Sequence, residues 1–141
     1  MKKTLLYLVL AGLVLLALIQ LVPYGRDHTN PPVVSEPNWD SPQTRQLAVD
    51  HCYQCHSNET TWPWYSNIAP ASWLITKDVI EGRQELNFSD WSRQGEFDEI
   101  AEQIQSGRMP PIQYTLPHPE SVLTAEQKQA FIQGLQATAG R

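Results

Sequence analysis

The residues Cys52-Tyr53-Gln54-Cys55-His56 decide how this chain of 141 residues is interpreted. Cys-x-x-Cys-His is the sequence to which a c-type haem is attached. Each cysteine can form a thioether with one of the porphyrin's two vinyl groups, and the adjacent histidine can then bind the iron. The motif therefore predicts one covalent haem c per chain, with Cys52 and Cys55 as attachment sites and His56 as an iron ligand.

A bare Cys-x-x-Cys also occurs in redox dithiols and in zinc sites. The chain has no further cysteine, so a closed zinc site would need His28, His51 or His118, which are scattered along the sequence. A thioredoxin-like dithiol belongs in a βαβ context. The residues around this motif are rich in proline or helix-like, without strand alternation. The dithiol remains the second interpretation.

The N-terminus has the pattern of a membrane segment. Met1-Lys2-Lys3 is basic, and residues 4–22 are apolar except for Gln20. As a helix rising ~1.5 Å per residue, this stretch reaches roughly 28 Å, enough to cross a bilayer. Because no small-residue cleavage site follows, we expect residues 1–22 to be an uncleaved anchor rather than a signal peptide. The two lysines would keep the N-terminus cytoplasmic, which predicts a bacterial cytoplasmic membrane protein with a periplasmic domain.

Composition divides the rest of the chain into two parts. Residues 23–40 are rich in proline and lack periodicity, which predicts an extended tether. Residues 41–141 form the predicted haem-binding domain. The net charge of the chain is −5, which argues against a nucleic-acid partner.

The apolar pattern after residue 41 predicts an all-α domain built from four short helices around a haem. The first begins at Ser41-Pro42, an N-cap and first helical position, and runs toward Cys52. Residues 57–70 are predicted to be an ordered loop, because they are rich in proline and aromatic residues. A second helix is predicted over residues 71–81, ending near Gly82.

Two further helices have clear end signals. Phe97, Ile100, Ala101 and Ile104 recur with helical spacing, and Gly107 marks the end of that helix. The last helix begins at Thr124, where the Thr-x-x-Gln pattern ending at Gln127 predicts a capping box. It should carry Phe131, Ile132 and Leu135 inward.

Met109 is the candidate for the second axial ligand. It lies in Arg108-Met109-Pro110-Pro111, and the only other methionine is residue 1. The prolines would hold this loop extended beside the haem. A methionine can also simply fill a gap in a core. His118, in a proline-bounded loop, is the alternative ligand or a group hydrogen-bonded near the iron.

Aromatic and basic residues between and beside these ligands could contact the porphyrin. Five aromatic residues are expected to cluster there: Trp62, Trp64, Tyr65, Trp73 and Trp91. Indole N–H groups could bind the haem propionates. The guanidinium groups of Arg83, Arg93 and Arg108 could do the same through charge-assisted hydrogen bonds.

The chain resembles the bacterial haem-binding-domain family of small cytochrome-c-like proteins over residues 30–135. The residues that carry the resemblance are Cys52-Tyr53-Gln54-Cys55-His56-Ser57-Asn58-Glu59-Thr60, Trp62-Pro63-Trp64-Tyr65-Ser66, Ile68-Ala69-Pro70, Ser72-Trp73-Leu74, Leu86-Asn87-Phe88-Ser89 with Trp91, Met109-Pro110-Pro111 and His118-Pro119. The resemblance implies a cytochrome-c-like helical fold around covalent haem, often behind a single membrane anchor.

Three functions are compatible with these residues. The first is a membrane-anchored c-type cytochrome, not an enzyme, that carries single electrons through a haem ligated by His56 and Met109 to an unknown redox partner protein. The second is a haem-based sensor or peroxidase-like protein with a displaceable sixth ligand, for which His118 or Glu59 would supply acid/base chemistry. The third is an interaction module in which haem serves only as a structural element.

Overall fold

The computed structural model describes residues 2–91 and 97–140. This part of the chain is all-helical, as predicted. Its α-helices are α1 (Lys2–Ile19), α2 (Pro42–His51), α3 (Tyr53–His56), α4 (Ala71–Glu85), α5 (Phe97–Gln105), α6 (Ile112–Thr115) and α7 (Ala125–Thr138), and 3₁₀ turns lie at Trp64–Asn67 and Pro119–Ser121. Within the described residues, strand-type pairing is limited to one isolated bridge between Ser35 and Asp90.

The local signals at three helix ends are confirmed. The Ser41 hydroxyl accepts a hydrogen bond from the Thr44 N–H at the start of α2. At the start of α7, the Thr124 hydroxyl accepts from the Gln127 N–H, and the Gln127 side chain accepts from the Thr124 N–H, which completes the capping box. Gly107 follows α5 with a φ of 72°, the left-handed conformation that glycine adopts without strain.

The predicted end of the second helix is wrong. α4 continues through Gly82 to Glu85. A Cβ atom at Gly82 would lie 2.7 Å from the carbonyl oxygen of Cys55. The glycine is therefore needed for the close approach of α4 to α3, not for a turn.

The core is formed where α2 and α5 pack on α7 and where α3 packs on α4. Its buried side chains are Leu47, Ala48, Tyr53, Phe88, Ile104, Leu123, Phe131 and Leu135. Phe131 and Leu135 point inward as predicted, whereas Ile132 packs half-buried at the edge of this cluster. Because α3 contacts both α2 and α4, the cysteine motif lies between these two helices.

The proline-rich segment is extended but packed. We call residues 25–39 the strap. The N–H groups of Val34 and Ser35 donate to the carbonyl of Ser89 at 2.8 and 3.2 Å. The His28 ring stacks on Trp62 with centroids 4.5 Å apart. These contacts hold the strap against the helical domain. The sequence predicted an extended tether but not this packing.

Candidate functional site

His56 is held in the orientation and tautomer that an iron ligand requires. Its Nδ1 lies 2.9 Å from the carbonyl oxygen of Gly82 and 3.1 Å from that of Leu86. Because both partners can only accept, Nδ1 carries the proton and Nε2 keeps its lone pair. Burial lowers the pKa of the imidazole, although the two carbonyls oppose this shift, so burial favours the neutral ring. A histidine that donates one ring N–H to a carbonyl is the usual arrangement of a metal ligand.

The two cysteines are free thiols in partly buried positions beside His56. Cys52 lies at the break between α2 and α3, and Cys55 lies within α3. Burial raises the pKa of Cys52 to about 12 and that of Cys55 to about 11. A reactive dithiol needs a lowered thiol pKa, so these surroundings do not favour the dithiol interpretation.

A zinc site also finds no support in the described residues. Over residues 2–91 and 97–140, no three or more His, Cys, Asp or Glu side chains come together in a way that could hold a metal ion. His28 Nε2 lies 3.2 Å from the carbonyl oxygen of Ser66, and His51 is buried with Nδ1 2.9 Å from the carbonyl oxygen of Ser121. The histidines that zinc would need therefore have other partners.

The four residues after the motif fix it in place. The Ser57 hydroxyl donates to the carbonyl of Tyr53 at 2.7 Å, and the Thr60 hydroxyl donates to that of Gln54 at 2.9 Å. The Asn58 N–H donates to the Ser89 hydroxyl at 3.0 Å. All three side chains are buried. Ser57 to Thr60 therefore close the turn after His56 by satisfying buried polar groups of α3.

Arg83 ties the same turn to the strap. Its Nε donates to the Ser57 carbonyl at 2.7 Å, and its Nη2 donates to Asn30 Oδ1 at 2.8 Å and to Thr60 Oγ1 at 2.9 Å. Arg108 instead forms an exposed ion pair with Glu102 at 2.9 Å. Two of the three guanidinium groups considered for the propionates thus have protein partners, and the third, Arg93, lies outside the described residues.

Met109 lies in the loop between α5 and α6. Its side chain is 38% exposed, and its N–H donates to the carbonyl of Gln103. Tyr114 lies on α6, the short helix that follows this loop. Burial is the main cause that raises the pKa of Tyr114 to about 12, and a negative charge on Cys55 or Cys52 adds to this shift.

His118 has both ring nitrogens engaged. Nδ1 lies 3.1 Å from a carboxylate oxygen of Glu120, and Nε2 hydrogen-bonds the hydroxyl of Tyr65. The ring also stacks on Tyr114, with centroids 4.9 Å apart. A carboxylate accepts and a phenol donates, so this arrangement leaves His118 no lone pair for iron. His118 instead connects the segment after Met109 to the 3₁₀ turn at Trp64–Asn67.

The five aromatic residues are divided among several places rather than gathered in one cluster. Trp62 stacks on His28 in the strap, and Trp91 packs on Phe88 in the core. Trp64 is 76% exposed. The indole Nε1 of Trp73 is buried without a hydrogen-bond partner. Among the described residues this N–H has no acceptor, and its burial closes it to a group that would approach from the surface.

The residues at the motif fit a haem. Two thiols within one helical turn precede an imidazole whose free nitrogen is Nε2, and Gly82 lets the helix that orients this imidazole lie directly on Cys55. A small helical domain with this arrangement of thiols and histidine is typical of a haem-binding protein.

The chain belongs to the haem-binding-domain family, because the model of that family, described as "Haem-binding domain", matches residues 14–137. The resemblance inferred from the sequence is thereby confirmed. The match includes the strap and the end of α1. Comparisons with curated proteins and with solved structures gave no match.

Proposed function

We propose that the protein is a membrane-anchored c-type cytochrome that carries single electrons and is not an enzyme. Cys52 and Cys55 would hold the haem through thioethers, with His56 and Met109 as axial ligands. The bound haem would supply one-electron cycling of its iron between Fe(II) and Fe(III). The observation that carries the proposal is the pair of hydrogen bonds from His56 Nδ1 to the carbonyls of Gly82 and Leu86.

Each protein group has a defined task in this proposal. The carbonyls at the end of α4 hold the imidazole in one orientation, so its geometry need not change when the iron changes charge. Ser57 to Thr60 keep α3 from moving relative to α4. A thioether from Met109 is a neutral ligand that favours Fe(II) and raises the potential relative to other ligand sets. The engagement of both nitrogens of His118 supports Met109 over His118 as that ligand.

The anchor and the location are part of the same proposal. Helix α1 is long and apolar enough to cross a membrane. The expectation is a single-pass protein of a bacterial cytoplasmic membrane with the haem domain on the periplasmic side, because Lys2 and Lys3 precede α1. The redox partner would be another protein that reaches this surface.

Covalent attachment is tested by denaturing electrophoresis of protein matured in a host that assembles c-type cytochromes. Haem staining should remain with the wild-type chain and should be lost when Cys52→Ala and Cys55→Ala are combined. Loss of staining from the wild-type chain would refute covalent attachment.

The sixth ligand is tested by carbon monoxide binding to the ferrous protein. The wild-type chain should bind little, whereas Met109→Leu, which keeps volume but removes sulfur, should bind it readily and lower the potential. Leu116→Ala is the control, because Leu116 is an exposed apolar side chain near His118 in sequence. Ready binding by the wild-type protein would favour a sensor or peroxidase-like protein instead, and opening by His118→Ala alone would assign the ligand to His118.

A further inference from the structure

Within residues 2–91 and 97–140, helix α1 contacts the rest of the protein only at its C-terminal end. Along α1 the described side chains are exposed until Ile19, which is half-buried, as is Gln20 beyond it. At ~1.5 Å per residue, the 18 residues of α1 extend about 27 Å, close to the hydrocarbon thickness of a bilayer. If α1 spans the membrane, its last turn therefore lies at the boundary between hydrocarbon and headgroups.

Gln20 fixes the domain at the level of that last turn. Its amide nitrogen donates to the carbonyl of Leu16 at 3.0 Å, so the side chain folds back along α1. The same nitrogen donates to the carbonyl of Ala69, and the Ala69 N–H donates to Gln20 Oε1, both at 2.9 Å. This two-point contact places the backbone of Ala69 beside the final turn of α1 rather than above it.

Three apolar side chains near Ala69 are exposed, beside the polar and exposed Asn67. Ile68 is 43% exposed, and Trp64, one 3₁₀ turn earlier, is 76% exposed. Pro70 on the other side of Ala69 is also exposed. We call Trp64, Ile68 and Pro70 the 64–70 patch. Soluble surfaces seldom expose a tryptophan to this extent, whereas tryptophan is enriched at membrane interfaces, where its ring is apolar and its N–H is hydrated.

The residues that leave α1 have the same chemistry. Leu21 is 78% exposed and Tyr24 is 50% exposed. Arg26 donates to the carbonyl of Gln20, which places a cation at the C-terminal end of α1 and beside this apolar surface. A cation at that level can pair with lipid phosphates while the apolar side chains enter the acyl boundary.

We infer that the 64–70 patch is a second membrane contact, through which the haem-binding domain rests on the bilayer that α1 spans. This inference rests on the proposed anchor. Its occupant is a phospholipid surface with anionic headgroups. The contact would also limit the distance between the bilayer surface and the haem site. The carbonyl of Gly82, which holds His56, lies twelve residues after Pro70 along α4, and a helix rises ~1.5 Å per residue, so the distance along the helix is about 18 Å.

The inference is tested with the full-length holoprotein in vesicles of phosphatidylethanolamine and phosphatidylglycerol. The photoreactive residue p-benzoylphenylalanine replaces Trp64 in one protein and Leu116 in a matched control. Leu116 is 75% exposed, which nearly equals Trp64, but it lies in the segment after α6. After illumination, lipid adducts are measured by mass spectrometry of the peptides.

Residue 64 should form lipid adducts several-fold more often than residue 116. Gln20→Ala should reduce this difference, because it removes the contact that holds Ala69 at the end of α1. Equal adducts at both sites, or cross-links from residue 64 to protein or haem without lipid, would overturn the inference. A mature chain that lacks α1 would overturn both the anchor and the second contact, whereas haem staining of the same samples tests covalent attachment separately.

Discussion

Arg83→Met is expected to loosen the strap on the domain, because the Arg83 side chain joins α4 both to the turn at residues 57–60 and to the strap. Its guanidinium donates to the carbonyl of Ser57 and the hydroxyl of Thr60, which lie in the turn after the cysteine motif. It also donates to the side-chain oxygen of Asn30 in the strap. Methionine keeps most of the apolar stem, so the substitution removes hydrogen bonds and charge rather than volume. The predicted effect is therefore electrostatic and local.

The magnitude follows from the acceptors that lose their partner. A hydrogen bond that involves a charged group contributes about 1.5–3 kcal/mol, and a buried acceptor left without a partner costs about 1–3 kcal/mol. Ser57 is fully buried and Thr60 nearly so. Since Arg83 is partly exposed and water can replace it at Asn30, the three bonds do not add. We expect the free energy of unfolding to fall by about 3 kcal/mol, or roughly 10 °C in Tm for a domain of this size.

The assay is thermal unfolding of the detergent-solubilised full chain, followed by circular dichroism, together with amide hydrogen exchange. Exchange at Val34 and Ser35 should accelerate, because their N–H groups are protected only while the strap lies on Ser89. Arg108→Met is the matched control. Its ion pair with Glu102 is exposed on both sides and should contribute less than about 1 kcal/mol. Equal effects of the two substitutions would refute the reasoning.

Two further predictions concern the approach of α4 to the motif and the pH dependence of the stability that Glu36 in the strap contributes. Gly82→Ala would place a Cβ atom 2.7 Å from the Cys55 carbonyl, so haem incorporation should fall several-fold in haem-stained gels, while Gly12→Ala, which meets no atom within 4 Å, should leave it unchanged. For Glu36, hydrogen bonds from Arg45 hold the carboxyl pKa below its ordinary value of 4.5. The folded state therefore binds fewer protons than the unfolded chain, and this stabilisation is complete above that value and is lost as pH falls through the folded pKa. Glu36→Gln should reduce stability at pH 7 in urea unfolding and should differ less from the wild type at pH 3; a constant difference would contradict the assignment.

The helical elements with local signals could be predicted, and those that depend on distant contacts could not. Ser41, Gly107 and Thr124 act on their own helix ends, so the sequence around each is sufficient. Gly82 carries the same residue type as a helix stop, but its neighbour in space is Cys55, 27 positions away. Hydrophobic periodicity reports only on residues of the same helix, so it could not indicate this neighbour, and α4 was predicted too short.

The site shows the same division. Cys52, Cys55 and His56 could be predicted as the haem site because the attachment pattern has three residues at fixed spacing within one turn. The partners of His56 could not, because they are backbone carbonyls, which have no residue type to recognise. The strap was missed for a related reason. The carbonyl of Pro32 accepts from Asn58, and the ring of His28 stacks on Trp62. From composition alone, proline and histidine in this segment predict only an irregular linker.

Helix α4 connects the proposed membrane contact to the proposed iron ligand. Its N-terminal end follows Ala69, which is bonded to Gln20 at the end of α1, and its C-terminal end supplies the carbonyls that hold His56. A helix of 15 residues is about 22 Å long and resists bending at this length. The position of His56 relative to the end of α1 is therefore set by one rigid element rather than by a flexible linker. Under the proposed function, an electron partner would therefore meet the haem at a defined height above the bilayer. Lengthening the proline-rich segment should leave that height unchanged as long as Gln20 remains bonded to Ala69.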